Sequence, residues 1–479
     1  MVKDFLYNFS GRIGSVLIGF VRSIVVPRFL GPELYGVLSL FGMFRVSLGF
    51  LDLGIKTAYY HHMADVLVKK KAEDNFRTET SNYFSTQIVV NICGIILTIF
   101  AAIYLYPKYE KQSALYIVGI CSIIVTHCLS QLHSLARKQT ILQKRFKFMA
   151  TVTLLESFLG SLFAIIGATL YSIVGVLIFQ PIEHLASCIV YLKKTGGIPS
   201  FKLDLRKSWK ILKNSFRYFY GSLSFVILRY SDRVLTISLL SIESLGYYTL
   251  AHAISEHIKI FIGSIHEVAT PRITERIASV EKITDLVDEL EEQTSLLFGI
   301  TLFLMGNAFI FSELIIYLLP KFGSSIEVFR ILIIGLTVGL SSFYPTVLMQ
   351  SKRVGKAAVL SNISIVSSII NIGVSYTLII HGYSIIGVAI GTLISHIVRT
   401  SFCFFYIHHF VLEKGLSASY YGYLAGPIAI FGLLYFFRDE PIWFLLLFFY
   451  TIFLFAYSRD IKECIDLARK KIQNNKIFP

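Results

Sequence analysis

Runs of roughly twenty apolar residues recur along almost the whole chain, separated by short polar interruptions. A helix rising 1.5 Å per residue needs about 17–25 such residues to cross a bilayer. The pattern predicts spans at 10–30, 35–58, 83–106, 113–135, 148–170, 174–192, 216–238, 246–268, 294–318, 326–349, 358–380, 385–407, 420–437 and 442–458. This is an all-α polytopic membrane protein of about fourteen helices. The last two runs are short, and a count of twelve holds if that pair is re-entrant or interfacial.

Two of the interruptions have a helical period of their own. In 201–216, Phe201, Leu205, Trp209, Leu212 and Phe216 share a face, with Lys202, Arg206, Lys210 and Lys213 turned away from it. That predicts a helix lying on anionic lipid. In 273–290, Ile273, Ile277, Val280, Ile283, Val287 and Leu290 recur at three- and four-residue spacing. A helix packed beneath the bundle is expected there, with a partner-binding helix as the alternative.

Composition agrees with the pattern. The 479 residues are 54% hydrophobic and 16% charged, against about 25% charged in soluble domains. The net charge of +15 is concentrated in alternate loops: Lys69–Arg77, Arg137–Lys147, Lys193–Lys213, Arg272–Arg276, Lys352–Lys356 and Arg459–Lys471. The loops between these are short. The asymmetry places both termini in the cytoplasm and reads the basicity as topology and contact with anionic lipid, not nucleic acid. The six cysteines lack metal-ligand spacing, and all but Cys464 sit in apolar runs as packing residues. Arg12 and Arg22 interrupt the first run, and no small-residue cleavage site follows, so it does not read as a removable signal.

The chain also repeats itself. RFLGPELYGVLSL joins the first two spans and SLLSIESLGYYTL joins the seventh and eighth. Glu33 and Gly36 recur as Glu243 and Gly246, 210 residues later. Six spans separate the copies, so both have the same orientation and a pseudo-twofold runs along the membrane normal. The expected organisation is a lobe over 1–192, an interfacial linker over 193–215, a second lobe over 216–411, and a helix pair with a basic tail over 412–479.

Charges inside a bilayer cost several kcal/mol unless they face water or a partner. They gather on the repeated helices. Arg22 lies on the first and Arg45, Asp52 and Lys56 on the second, where positions 45, 49, 52 and 56 share one helical face. Arg229, Asp232 and Thr236 line the seventh with Arg233 alongside, and His252, Glu256, Lys259, Gly263 and Glu267 stripe the eighth. The pairs Asp52–Lys56 and Arg229–Asp232 have a structural reading as self-neutralising neighbours. Glu156 and Glu183 read as bridges between helices, and His127 and His133 as packed histidines. The cations Arg22, Arg45, Arg229, Arg233, Lys259 and Arg399 still outnumber the acids expected near them. A surplus of arginine in a low-dielectric cavity calls for an anion, and its fork fits phosphate. Asp52, Asp232 and Glu256 are the candidates for ion or proton coupling. No metal pair, nucleophile–base pair or phosphate-cradling glycine loop is present, so neither an enzyme, a cofactor nor a metal site is expected.

RFLGPELYGVLSL with LDLGI, and YSDRVLTISLLSIESLGYYTLAHAI, resemble the polysaccharide-transporter (O-antigen flippase) family. That family shares a superfamily with multidrug/toxin extruders and the lipid II flippase. The resemblance implies a two-lobed, MATE-like bundle that flips undecaprenyl-pyrophosphate-linked oligosaccharide, a repeat unit of lipopolysaccharide O antigen or another surface polysaccharide. It implies headgroup contacts at Arg22, Arg45 and Arg233 or Arg229, and a lipid-tail groove at the last two helices. It further implies a bacterial or archaeal cytoplasmic membrane, with a polysaccharide polymerase and a chain-length regulator as partners. A cation-coupled multidrug antiporter of the same fold is the rival. The absence of any carboxylate between Gly11 and Leu30 counts against it.

Overall fold

The computed structural model describes residues 2–50, 52–68, 73–105, 113–143, 145–280, 286–351, 353–413, 415 and 418–453. Lys69–Lys71, Lys144, Ile283, Lys352 and the basic tail with Cys464 lie outside them, as does the side chain of Arg229. Helices dominate throughout: α1 Val2–Phe50, α2 Ile55–Val68, α3 Glu73–Leu105, α4 Ser113–Leu142, α5 Phe146–Thr195, α6 Leu205–Leu239, α7 Ile242–Ser279 and α8 Val287–Ile310. They continue as α9 Leu314–Leu318, α10 Ser325–Ser341, α11 Phe343–Gln350, α12 Ala357–Ile380, α13 Ser384–Phe410, α14 Ala418–Phe436 and α15 Ile442–Phe453.

Each of the fourteen apolar runs is helical over most of its described residues. α1 and α5 each hold two runs, folded back at Gly31 (φ 75°) and Ser172 (φ 55°). Seven helices among the described residues are long and apolar enough to span by themselves, and α10 and α11 make one more across a 49° bend. Large apolar side chains stand exposed on their outer faces, Phe100 at 67% and Leu170 at 67% among them. A soluble protein does not leave such surface bare; lipid covers it. The chain is an all-α, multi-pass membrane protein of about fourteen helices.

Three expectations of continuity are corrected. The second span is broken: α1 ends at Phe50, and Leu53 (φ 49°) and Gly54 (φ 78°) turn the backbone before α2 begins. Arg45 and Lys56 therefore stand on different helices, not on one stripe. The basic segment 201–216 is not a separate in-plane helix. Asp204 caps its start by accepting from the amides of Arg206 and Lys207, and α6 then runs unbroken into the seventh span. Its Leu205 and Trp209 remain exposed, as the amphipathic pattern requires. The segment 273–290 is two helix ends, since α7 stops at Ser279. Ile273, Ile277, Leu286 and Leu290 are buried together with Phe343 and Leu348, as a packed segment should be.

By packing, the chain divides into two compact units: residues 1–264 with 364–368, and 265–363 with 369–479. In the first, α1 lies along α5, α5 along α4, and α2 against α6 and α3. One core joins Val26, Phe41, Ile123, Ala168 and Leu177; another gathers Tyr59, Met63, Tyr83 and Ile211 around α2. In the second, α10 packs on α13, α8 and α14. Arg330 is buried there, bonded to Ser312, Glu327 and Glu313.

The repeat becomes physical inside the first unit. A Cβ added to Gly36 would strike the carbonyl of Ile242, and one added to Gly246 would strike that of Pro32. Each would also stand 3.2 Å from the other glycine's amide nitrogen. One turn on, the hydroxyls of Ser39 and Thr249 meet at 2.7 Å. All these partners are related by the 210-residue offset, so equivalent residues touch one another, the mark of a local twofold. Glycine at both positions lets the two backbones cross in contact.

Candidate functional site

Arg22 projects from the first half of α1 and donates from Nη1 to Glu183 Oε2 at 3.0 Å, with side chains 30% and 15% exposed. Glu183 fits there because Gly160 faces it; a Cβ at Gly160 would strike the carboxylate. The acid thus bridges α5 to α1, as expected of it. Next to Arg22, Ser23 Oγ and His257 Nε2 stand 2.7 Å apart and tie α1 to α7.

Arg45 lies on the second half of α1, half-buried, and makes no hydrogen bond or ion pair among the described residues. The charges of Glu183 and Arg22 and the Tyr230 hydroxyl all act on it. Arg233, on α6, donates from Nη2 to His252 Nδ1 at 3.0 Å and rests its guanidinium 5.1 Å from the Tyr230 ring centre. The Tyr35 hydroxyl feels both Arg233 and Arg22. Three of the expected cations, Arg22, Arg45 and Arg233, therefore gather about Tyr35 and Tyr230.

A second group of charges surrounds the helix break. Asp52 is buried; its Oδ2 stands 3.5 Å from the Lys56 amide, and its Oδ1 has no hydrogen-bond partner among the described residues. The contact with Lys56 is thus to its backbone, not its ammonium. Lys138, on α4, donates to the Lys56 carbonyl at 2.9 Å and sits over the Tyr60 ring. The fields of Lys56 and Lys138 both reach Asp52, and those of Lys56 and Arg45 reach His127. The basic neighbours of Lys138 predict a loop, but α4 continues through it to Leu142.

The remaining expected residues are placed differently. Lys259 is held by Glu256 at 2.9 Å, and His252 approaches the same carboxylate at 4.0 Å. Asp232 is fully buried, accepting from the Tyr248 hydroxyl and, at 2.8 Å, from the Arg233 amide. Arg399 is half-buried on α13 in the second unit. His133 and Glu156, which the sequence presents separately, converge with His184, and His184 also touches Glu183.

An anion, not a cation, suits the first group. Arg45 has no carboxylate partner among the described residues, and a guanidinium in a low-dielectric interior binds a phosphate oxygen pair more favourably than it stays bare.

The family described as polysaccharide biosynthesis protein matches residues 1–276. No curated protein matches the chain by sequence. Among solved structures, the chain is similar to the lipid II flippase MurJ in an inward closed conformation, with a TM-score of 0.66 at 14% identity over 96% of this chain and 100% of that one. An inward-facing multidrug resistance MATE family transporter of the MOP superfamily follows at 0.63 and 15%, over 83% and 97%. A MOP superfamily transporter from Pyrococcus furiosus, whose description notes a binding pocket of reverse polarity, gives 0.56 and 14%, over 86% and 97%. These likenesses place the fold among the flippases and extruders.

Proposed function

We propose a function from one premise: the chain belongs to the polysaccharide biosynthesis protein family. The protein is a flippase that carries polyprenyl-pyrophosphate-linked oligosaccharide, an O-antigen or other surface-polysaccharide repeat unit, from the inner to the outer leaflet by alternating access. It works in a bacterial or archaeal cytoplasmic membrane and passes its product to a polymerase and chain-length regulator. The observation that carries this reading is Arg45, an interior guanidinium without an ion pair among the described residues, standing near Arg22 and Arg233.

The pyrophosphate engages these three arginines, and Arg229 and Lys259 serve further along the headgroup path. The prenyl tail stays in lipid. With both termini cytoplasmic, as the loop charges imply, the Gly36–Gly246 crossing lies toward the outer face and closes it. Asp52, whose Oδ1 has spare acceptor capacity, is the foremost coupling candidate, followed by Glu256 and Asp232.

The test is surface-glycan assembly in a host that depends on this chain. Arg22→Ala and Arg45→Ala should abolish it while leaving membrane expression intact. Full activity in both variants would sink the pyrophosphate reading, and drug efflux that Asp232→Asn abolishes would support the antiporter instead.

A further inference from the structure

The first unit holds a second cluster that the anion site does not use. His133 on α4, and Glu156 and His184 on the two halves of α5, bring one ligand atom each within 4.8 Å of the others. His133 Nε2 stands 3.4 Å from Glu156 Oε2, and His184 Nδ1 stands 3.1 Å from Glu156 Oε1. His133 is 7% exposed overall, and the side chains of Glu156 and His184 are 19% and 16% exposed.

We propose that His133, Glu156 and His184 form a binding site for a divalent transition-metal ion of the zinc type. The spacing is the first argument. Donors at about 2.0–2.1 Å from a tetrahedral ion stand roughly 3.4 Å from one another. The two nitrogen–oxygen separations, each to its own oxygen of Glu156 and the shorter one a hydrogen bond, lie near that edge.

Direction is the second. His133 Nε2 is buried and makes no hydrogen bond among the described residues, although a carboxylate oxygen lies within ion-pair distance. A histidine placed only to hold Glu156 would align its ring nitrogen with the oxygen. A nitrogen that approaches the oxygen without pointing at it is arranged for a body between them.

The outer contacts supply the third. His184 turns Nδ1 to Glu156 and Nε2 to Glu183 Oε1, 3.4 Å away. This is the carboxylate–histidine pairing that fixes the ring of a metal ligand. The Tyr191 ring, 5.1 Å from that of His133, packs the other imidazole.

Charge selects the ion. Arg137, one turn along α4, acts on both Glu156 and His133, and Glu183 is already engaged by Arg22. The site therefore has little net negative charge, which disfavours calcium and magnesium with their demand for several oxygens. Two imidazoles and one carboxylate suit zinc, nickel or copper, and three protein ligands leave a fourth position open. Because Glu183 touches both His184 and Arg22, an ion here steadies the carboxylate that positions Arg22.

The experiment uses the full-length chain without an affinity tag, purified in detergent, stripped with chelator and exposed to zinc alone. Elemental analysis after removal of excess should find about one zinc per chain, and cobalt substitution should give the visible band of a tetrahedral site. His133→Gln and His184→Gln should each weaken binding by about tenfold or more, judged on protein that elutes as the wild type. Wild-type protein that retains no zinc overturns the proposal without recourse to any variant. Stoichiometry unchanged in both variants overturns it as well.

Discussion

The two copies of the repeated turn are alike where they touch and unlike where they carry charge. Gly36 meets the Gly246 strand of chain and Ser39 meets Thr249, equivalents 210 residues apart. The same offset carries Arg22 to Asp232 and Arg45 to Ser255. Asp232 is buried under Tyr248, and Ser255 gives its hydroxyl to the Ala251 carbonyl. Two cations of the second copy whose side chains are described, Arg233 and Lys259, rest on His252 and Glu256 of that copy. Packing at a backbone crossing demands small residues on both sides, so symmetry survives there. Positions away from the crossing are under no such demand, and the charges of the two copies differ.

The comparison can be broken at its symmetric point first. Gly36→Leu and Gly246→Leu should each abolish glycan export and lower thermal stability to the same degree. Overpacking typically costs about 1–3 kcal/mol, and a side chain driven into backbone sits at the upper end. A crossing that tolerates one substitution and not the other is not a twofold contact. Smaller, and directed at the charge asymmetry, is Lys259→Ala. Its ammonium is already neutralised by Glu256, so headgroup affinity in a lipid-binding assay should fall by less than about threefold, well under one charge-assisted hydrogen bond. A tenfold loss would move the site toward the second copy.

The elements of the fold were largely legible because span length obeys a strong, local rule. The turn motif was legible too, although a few shared letters gave no hint that its copies touch. What the sequence concealed is geometric. The stripe through 45, 49, 52 and 56 assumed an unbroken helix, yet LDLG turns the chain at Leu53 and Gly54. Gly54 permits that turn, but a lone glycine is also tolerated inside a helix, so the letter does not decide for a break. Lys138 follows Arg137 in a basic stretch and read as a loop residue, whereas α4 continues to Leu142 and brings it to Asp52. His133, Glu156 and His184 are too far apart in sequence for any spacing rule. Only the packing of α4 against both halves of α5 assembles them.

The most direct measurement concerns Arg45. Purified wild-type protein in lipid nanodiscs should bind a polyprenyl pyrophosphate, and Arg45→Ala should weaken that binding by roughly ten- to a hundredfold. That is the worth of about 1.5–3 kcal/mol for a hydrogen-bonded charge. Ser255→Ala, at the equivalent position of the other copy, should leave binding within about twofold. Equal affinity of wild type and Arg45→Ala would contradict the assignment of the anion to Arg45.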